Sequence, residues 1–254
     1  MNALGFIDTY TIRARLFPAI IAGAPVIALA AILVSWDKVG LPHLIATIAL
    51  GVLLFVLSDV ARRRGRATEP ALVERMGGLP SIVMLRHRDT TFDEPSKVRA
   101  LRFLAGKIGG KPPSLADEQK DPTAADDFYA RCGNWLREHT RDTKKFKILF
   151  DENITYGFRR NLFGLKWPAL ILNAAIVVLC LVLLWYRLPF DMKRALTPEL
   201  LSVLVIAFLH AAYLTLFVTE SGVSEAARQY ARQLILSCET LQAQITTTKT
   251  KAER

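Results

Sequence analysis

Leu16–Val60 reads LFPAIIAGAPVIALAAILVSWDKVGLPHLIATIALGVLLFVLSDV, and Arg62-Arg63-Arg64-Gly65-Arg66 follows almost at once. The run is apolar apart from a break near Trp36–Gly40. Each half is long enough for the roughly 20 helical residues that cross a hydrocarbon core. Lipid offers no partner to backbone N–H and C=O groups, so a crossing segment of this kind is a helix. A second run, Trp167–Val218, breaks near Arg187–Pro198. The expectation is an all-α membrane protein with four transmembrane helices in two hairpins, residues 16–60 and 167–218.

The arginines after Val60 belong on the cytoplasmic side. Two crossings then place the N-terminal segment inside as well, consistent with Arg13 and Arg15. Arg159, Arg160 and Lys166 bring the chain back to the membrane from the same side. Arg187, Lys193 and Arg194 oppose this orientation but are outweighed by the inner flanks. Residues 61–166 are therefore read as a basic, mostly helical cytoplasmic domain and residues 219–254 as a cytoplasmic C-terminal helix. The protein is expected in a bacterial inner membrane, with the lipid bilayer as its first partner.

The chain is 52% hydrophobic and 22% charged. Both values are high because the charge is segregated from the apolar runs. A net charge of +10 raises nucleic acid as a partner for a soluble protein. Here, membrane orientation and contact with anionic lipid give the cheaper account, without excluding a basic binding surface. Cys132, Cys180 and Cys238 form no CxxC, which argues against a disulfide framework and against a zinc site.

Residues 1–15 place Phe6, Ile7, Tyr10 and Ala14 at helical spacing, an amphipathic segment at the inner interface. The same pattern, with Phe6 and Tyr10 foremost, also fits a plug or gate beneath the bundle. Pro25 is expected to kink the first crossing helix. Pro42 and Pro168 mark the starts of helices two and three. In the middle region, Glu69-Pro70 starts a short helix that Gly77-Gly78 stops, and Ser81–Leu85 reads as a brief β-like run. Val98, Leu101, Leu104, Ala105 and Ile108 form an amphipathic stripe that Gly109-Gly110 ends. Asp121-Pro122 opens another helix, with Ala125, Phe128, Tyr129, Cys132, Trp135 and Leu136 on one face. Phe146, Phe150 and Ile154 form a third stripe. Helix four, Glu199–Val218, continues into a tail whose Val223, Ala227, Tyr230, Leu234, Cys238, Leu241 and Ile245 alternate steps of three and four. That seam fits packing on the chain's own middle domain and pairing between copies equally well.

No Walker A loop, GxGxxG, GxSxG or HExxH is present, so no catalytic residue, metal ligand or cofactor is assigned. Three groups of residues remain as candidates. Asn173 and His210 are strongly polar within apolar helices and either bond between helices or line an aqueous path. Lys144 and Lys145, with Arg159 and Arg160, combine cations and aromatics near the membrane, as interface anchors or as an anion site for phosphates and stacked bases. Arg86, His87 and Arg88, with Arg99 and Arg102 nearby, form a second basic cluster. Gly157 and Gly164 are read as an elbow.

The two hairpins, the basic insertion, the helical tail and the segment Asp151-Glu152-Asn153-Ile154-Thr155-Tyr156-Gly157-Phe158-Arg159-Arg160-Asn161-Leu162 resemble bacterial membrane effectors of anti-phage defence. Within these the chain is similar to the channel-forming effector of Hailong-type systems. That resemblance implies a homo-oligomeric channel, a tetramer, held shut by a nucleotide-derived ligand from a partner nucleotidyltransferase. Its opening would depolarise the cell. Two other readings stand beside it: a non-conducting scaffold that recruits a cytoplasmic partner, and a small transporter built on a repeat. The two halves share no visible period, which ranks the transporter third.

Overall fold

The computed structural model describes residues 9–33, 41–187 and 197–252 of the chain. Among them the protein is all-helical, with no strand. Phe6, Trp36, the Asp37–Gly40 turn and most of the Arg187–Pro198 turn lie outside the described residues.

The elements run in order α1 (Thr9–Thr11), a π-helical turn (Ile12–Leu16), α2 (Phe17–Ala22), α3 (Ala24–Leu33), α4 (Leu41–Arg75), α5 (Pro80–Val83) and α6 (Glu94–Ile108). They continue with α7 (Leu115–Lys120), α8 (Pro122–His139), α9 (Lys147–Arg187), α10 (Thr197–Leu216) and α11 (Glu220–Ala252). The chain divides into two units: Met1–Glu69 with Gly157–Val223, and Pro70–Tyr156 with Ser224–Arg254. Helices α4, α9 and α11 contribute residues to both.

Three helices, α4, α9 and α10, are long and apolar enough to cross a membrane. A fourth span exists only if the segments on either side of Gly23 count as one, and they meet at a 60° bend. The expected kink is thus a break. Gly23 ends α2, and Pro25 has no N–H to give the carbonyl of Ile21, four residues back. The break sits two residues before the proline because Gly23 still bonds the Ala19 carbonyl at 2.9 Å while the chain turns.

The first unit holds two apolar clusters. One joins Leu29 of α3, Ile176 and Cys180 of α9, and Leu200 and Val203 of α10. The other joins Ala22, Ala61, Leu162, Leu165, Ala169, Leu214 and Val218. Helix α4 is held differently. Only 6% of its most apolar window is buried, against 22% and 28% for those of α9 and α10. None of its described side chains from Leu41 to Val56 is buried, and burial begins at Ala61 and Gly65.

The second unit packs amphipathic helices about a single core. Leu101 and Leu104 of α6 meet Phe128, Tyr129, Cys132 and Leu136 of α8, with Phe146 and Leu149 of α9 and Leu234, Ile235 and Cys238 of α11. Helix ends follow local chemistry. Asp93 caps α6 by accepting from the Ser96 N–H at 3.0 Å. Ser114 and Asp117 form a reciprocal capping box on α7. Asp121 caps α8 as expected, accepting from the Ala124 N–H at 3.0 Å. Gly77 and Gly109, at φ 76° and 68°, adopt the left-handed conformation that follows α4 and α6.

Four local expectations are corrected. Glu69-Pro70 starts no helix, because α4 runs through Pro70 to Arg75. Its outward position leaves one carbonyl without a donor and does not end the helix. Pro168 likewise lies inside α9, not at a helix start. Ser81–Leu85 is not β-like: Ser81–Val83 lie in the short helix α5 and Met84-Leu85 form the turn that ends it, with Pro80 in the first turn of α5 and the Met84 N–H on the Pro80 carbonyl at 3.0 Å. Helix four does not continue into the tail. It ends at Leu216, and Thr219 restarts the chain as α11 by accepting from the Gly222 N–H at 3.2 Å.

Candidate functional site

Glycines 157 and 164 form no elbow, because α9 is continuous from Lys147 to Arg187. They lie seven residues apart on one face of α9, with Asn161 between them, and they let other backbones approach. A Cβ on Gly164 would stand 2.5 Å from the Gly65 nitrogen and 2.8 Å from the Arg64 carbonyl carbon. A Cβ on Gly157 would meet the Tyr10 hydroxyl at 2.7 Å and the Ala14 Cβ at 3.1 Å. This face therefore receives α4 on one side and the N-terminal π-helical turn on the other.

Asn161 sits at the centre of the junction and is 1% exposed. Its Nδ2 donates to the Ala14 carbonyl at 2.7 Å. Its Oδ1 crowds Gly65 and accepts no hydrogen bond. A buried carbonyl oxygen without a donor costs of the order of 1–3 kcal/mol. Beside it, Arg160 pairs with Glu69 at 3.0 Å. The Arg15 guanidinium lies 5.6 Å from the Tyr10 ring centroid. The sequence reading singled out Tyr10 and Arg160 but passed over Asn161, Gly65 and Glu69. The signal that marked them was the small residue at position 65 within an arginine run, which charge counting obscures.

The other basic candidates are divided between the two units or are already used. Arg86 makes a bidentate pair with Asp126, Nε–Oδ1 2.8 Å and Nη2–Oδ2 2.6 Å, and donates a third bond to the Gly77 carbonyl. The Asp126 partnership raises the Arg86 pKa further above its ordinary value. The His87 N–H donates to Glu118, and its Nε2 lies 2.9 Å from the Pro113 carbonyl. Arg86 and His87 thus staple the segment after α5 to α7 and α8, while Arg88 is exposed. Lys144 and Lys145 are exposed as well, with Lys145 over the Phe146 ring at 5.2 Å. Arg159 and Arg160 belong to the other unit.

Lys97, not singled out in the sequence, is only 2% exposed and donates to the carbonyls of Arg86 and Asp89 at 2.8 and 2.5 Å. It lines a cleft of about 410 Å³ in the second unit with Phe92, Ser96, Arg99, Glu239 and Gln242. That volume suits a nucleotide-sized ligand. The exposed Arg99 and the Phe92 ring supply a cation and an aromatic face. Burial raises the Cys132 and Cys238 thiols to about 12, so both stay protonated at neutral pH.

Asn173 and His210 lie inside the first unit. Asn173 is 5% exposed and donates to the Ala207 carbonyl of α10 at 3.1 Å. Its Oδ1 accepts nothing. His210 is 7% exposed, and neither ring nitrogen makes a hydrogen bond of good geometry. No family model matches the chain, and no curated protein or solved structure is significantly similar to it.

Proposed function

We propose that the protein is a homo-oligomeric membrane channel whose basic cytoplasmic unit senses a nucleotide or oligonucleotide, with both chain termini on the cytoplasmic side of a bacterial inner membrane. The observation that carries the reading is the unburied length of α4 from Leu41 to Val56. Along it Ile45, Ile48 and Val52 are each 58% exposed, and Phe55 is 75% exposed. Yet the same helix carries His43, Thr47, Gly51 and Ser58, spaced to fall on one face. A helix that meets only lipid has no use for such a stripe. Copies of α4 arranged about an axis would turn it inward and give the apolar side to lipid.

The 410 Å³ cleft is the candidate sensor, with Arg99 for phosphate and Phe92 for a base. A ligand made by a partner nucleotidyltransferase would control the channel by binding its closed and open states with different affinity. In the defence setting that the sequence resemblance implies, loss of that ligand opens the channel and depolarises the infected cell. Tyr10, packed at Gly157, is the described half of the proposed gate.

The test is ion flux from liposomes holding the purified full chain, with its mass measured in mild detergent. The expected result is an oligomer, four copies by the resemblance, whose flux changes at least tenfold with Thr47→Leu and responds to added nucleotides. A monomer without flux under any nucleotide overturns the reading.

One observation favours the alternative of a non-conducting scaffold. Asn173 spends its amide on the Ala207 carbonyl, which is a structural use. On that reading Asn173→Leu and His210→Leu both leave function intact while the protein stays folded.

A further inference from the structure

Arg159 and Arg160 are neighbours with different circumstances. Arg160 is paired with the Glu69 carboxylate. Arg159 is exposed, and among the described residues it donates from Nη1 to the Gly222 carbonyl at 2.9 Å. Among the described residues no carboxylate pairs with it, and its Nε and Nη2 keep their donor capacity. It opens onto a second cleft, of about 350 Å³, formed wholly within the first unit where α10 ends and α11 begins.

The composition of that cleft is specific. Phe158, Tyr213 and Phe217 form aromatic walls, Thr219 supplies a hydroxyl, and Gly222 keeps the floor open. Tyr213 and Phe217 stack with centroids 6.1 Å apart. Next to it, Lys166 donates to the Val218 carbonyl at 2.9 Å, which brings a second cation to the same end of α10. From this cationic end an exposed apolar strip runs back along α10 through Phe217, Leu216, Leu209, Phe208 and Val205, each at least 58% exposed. Trp167, 70% exposed, stands at the start of the apolar part of α9. Cations beside a hydroxyl, aromatics at the same level and a greasy strip leading away match the order of groups in a phospholipid.

We propose that this cleft binds the phosphate ester of an anionic phospholipid headgroup, with Arg159 and Thr219 on the phosphate and the α10 strip beside an acyl chain. A soluble phosphate shares the headgroup chemistry but has no use for the strip. The planar guanidinium holds two phosphate oxygens at once. The site stands whether or not the protein conducts.

The test is native mass spectrometry of the full chain in a neutral detergent, titrated with phosphatidylglycerol and with phosphatidylcholine of the same acyl chains. The expected result is a retained phosphatidylglycerol and weaker phosphatidylcholine. Arg159→Gln, which can still donate to the Gly222 carbonyl, weakens phosphatidylglycerol about tenfold, while Arg159→Lys stays within about threefold. Phe217→Ala, at a side chain outside the buried clusters, weakens both lipids and leaves their ratio unchanged. Inorganic phosphate at millimolar concentration displaces neither. Equal binding of both lipids by wild type, or phosphatidylglycerol binding unchanged in Arg159→Gln and Phe217→Ala, overturns the proposal. Inorganic phosphate that displaces the lipid at millimolar concentration overturns it too, since the site would then take a soluble anion.

Discussion

Helices α4 and α11 are both long, and both are rich in leucine, isoleucine and alanine, but they solve different solvent problems. From Ala226 to Leu241, α11 buries Ala226, Ala227, Ala231, Leu234, Ile235, Cys238 and Leu241 on one face and exposes Arg228 and Arg232 on the other. From Leu41 to Val56, α4 buries none of its described side chains. One helix is told where to pack by the contrast between its faces. The other is apolar over that length on all but the face of His43, Thr47 and Gly51, and burial against the rest of its own chain is not what satisfies it. The first unit is accordingly joined by close backbone contact at small residues, and the second by side-chain interdigitation and paired charges.

Substitutions where α4 meets α9 break this comparison most sharply. Gly65→Val and Gly164→Val drive a side chain into a facing backbone, so each should cost about 4 kcal/mol or more and leave little assembled protein in a detergent melting assay. Gly51→Leu, on the same helix but facing open space, should change stability by less than about 0.5 kcal/mol. Equal effects at positions 51 and 65 would mean that α4 is packed along its whole length.

In the second unit, Leu104→Ala removes a fully buried side chain from the common core and should cost about 3 kcal/mol in denaturant unfolding. Ile48→Ala on α4 should cost far less. Arg86→Met strands Asp126 and the Gly77 carbonyl and is expected to cost about 2 kcal/mol. A cost near zero would remove the staple from the account.

The pH dependence should separate the units by a smaller margin. Folding holds the Cys132 and Cys238 thiols neutral up to about 12, above their ordinary value near 9. A raised thiol pKa stabilises the fold below the ordinary value, and that contribution is lost as pH climbs from about 9 towards 12. At the acid end, bonds from Ser96 and Ser114 hold Asp93 and Asp117 below the usual carboxylate range. Their capping contribution is present above that range and fades as pH falls through it. Thiol reagents at pH 8 should therefore leave the folded chain unmodified. The smallest effect is expected at Arg63→Ala, whose pair with Asp59 is exposed to solvent and worth less than about 0.5 kcal/mol.

The helices were legible because apolar period and capping chemistry are local. The Asp121 cap, the Gly77 and Gly109 stops and the stripe through Leu101 and Leu104 all rest on residues near in sequence. The steps of three and four in the tail fit packing on the chain's own middle region and pairing with a second copy equally, and Leu234, Cys238 and Leu241 pack in the core of the second unit. What misled was proline and glycine. Pro70 and Pro168 mark helix starts by habit, but both sit in helices whose neighbouring turns carry them. Gly157 and Gly164 read as flexibility because a sequence does not show which backbone comes close. Arg86 and His87 read as a ligand cluster because their partners, Asp126, Glu118 and Pro113, lie 26 to 40 residues away.

The second unit is expected on the cytoplasmic side of the membrane. Lys144 is exposed within it, and the three natural cysteines are buried. A Lys144→Cys chain probed with a membrane-impermeant maleimide should stay unlabelled in intact cells and label fully in inside-out vesicles. Labelling of intact cells, or recovery of the chain in the soluble fraction without detergent, would contradict the account.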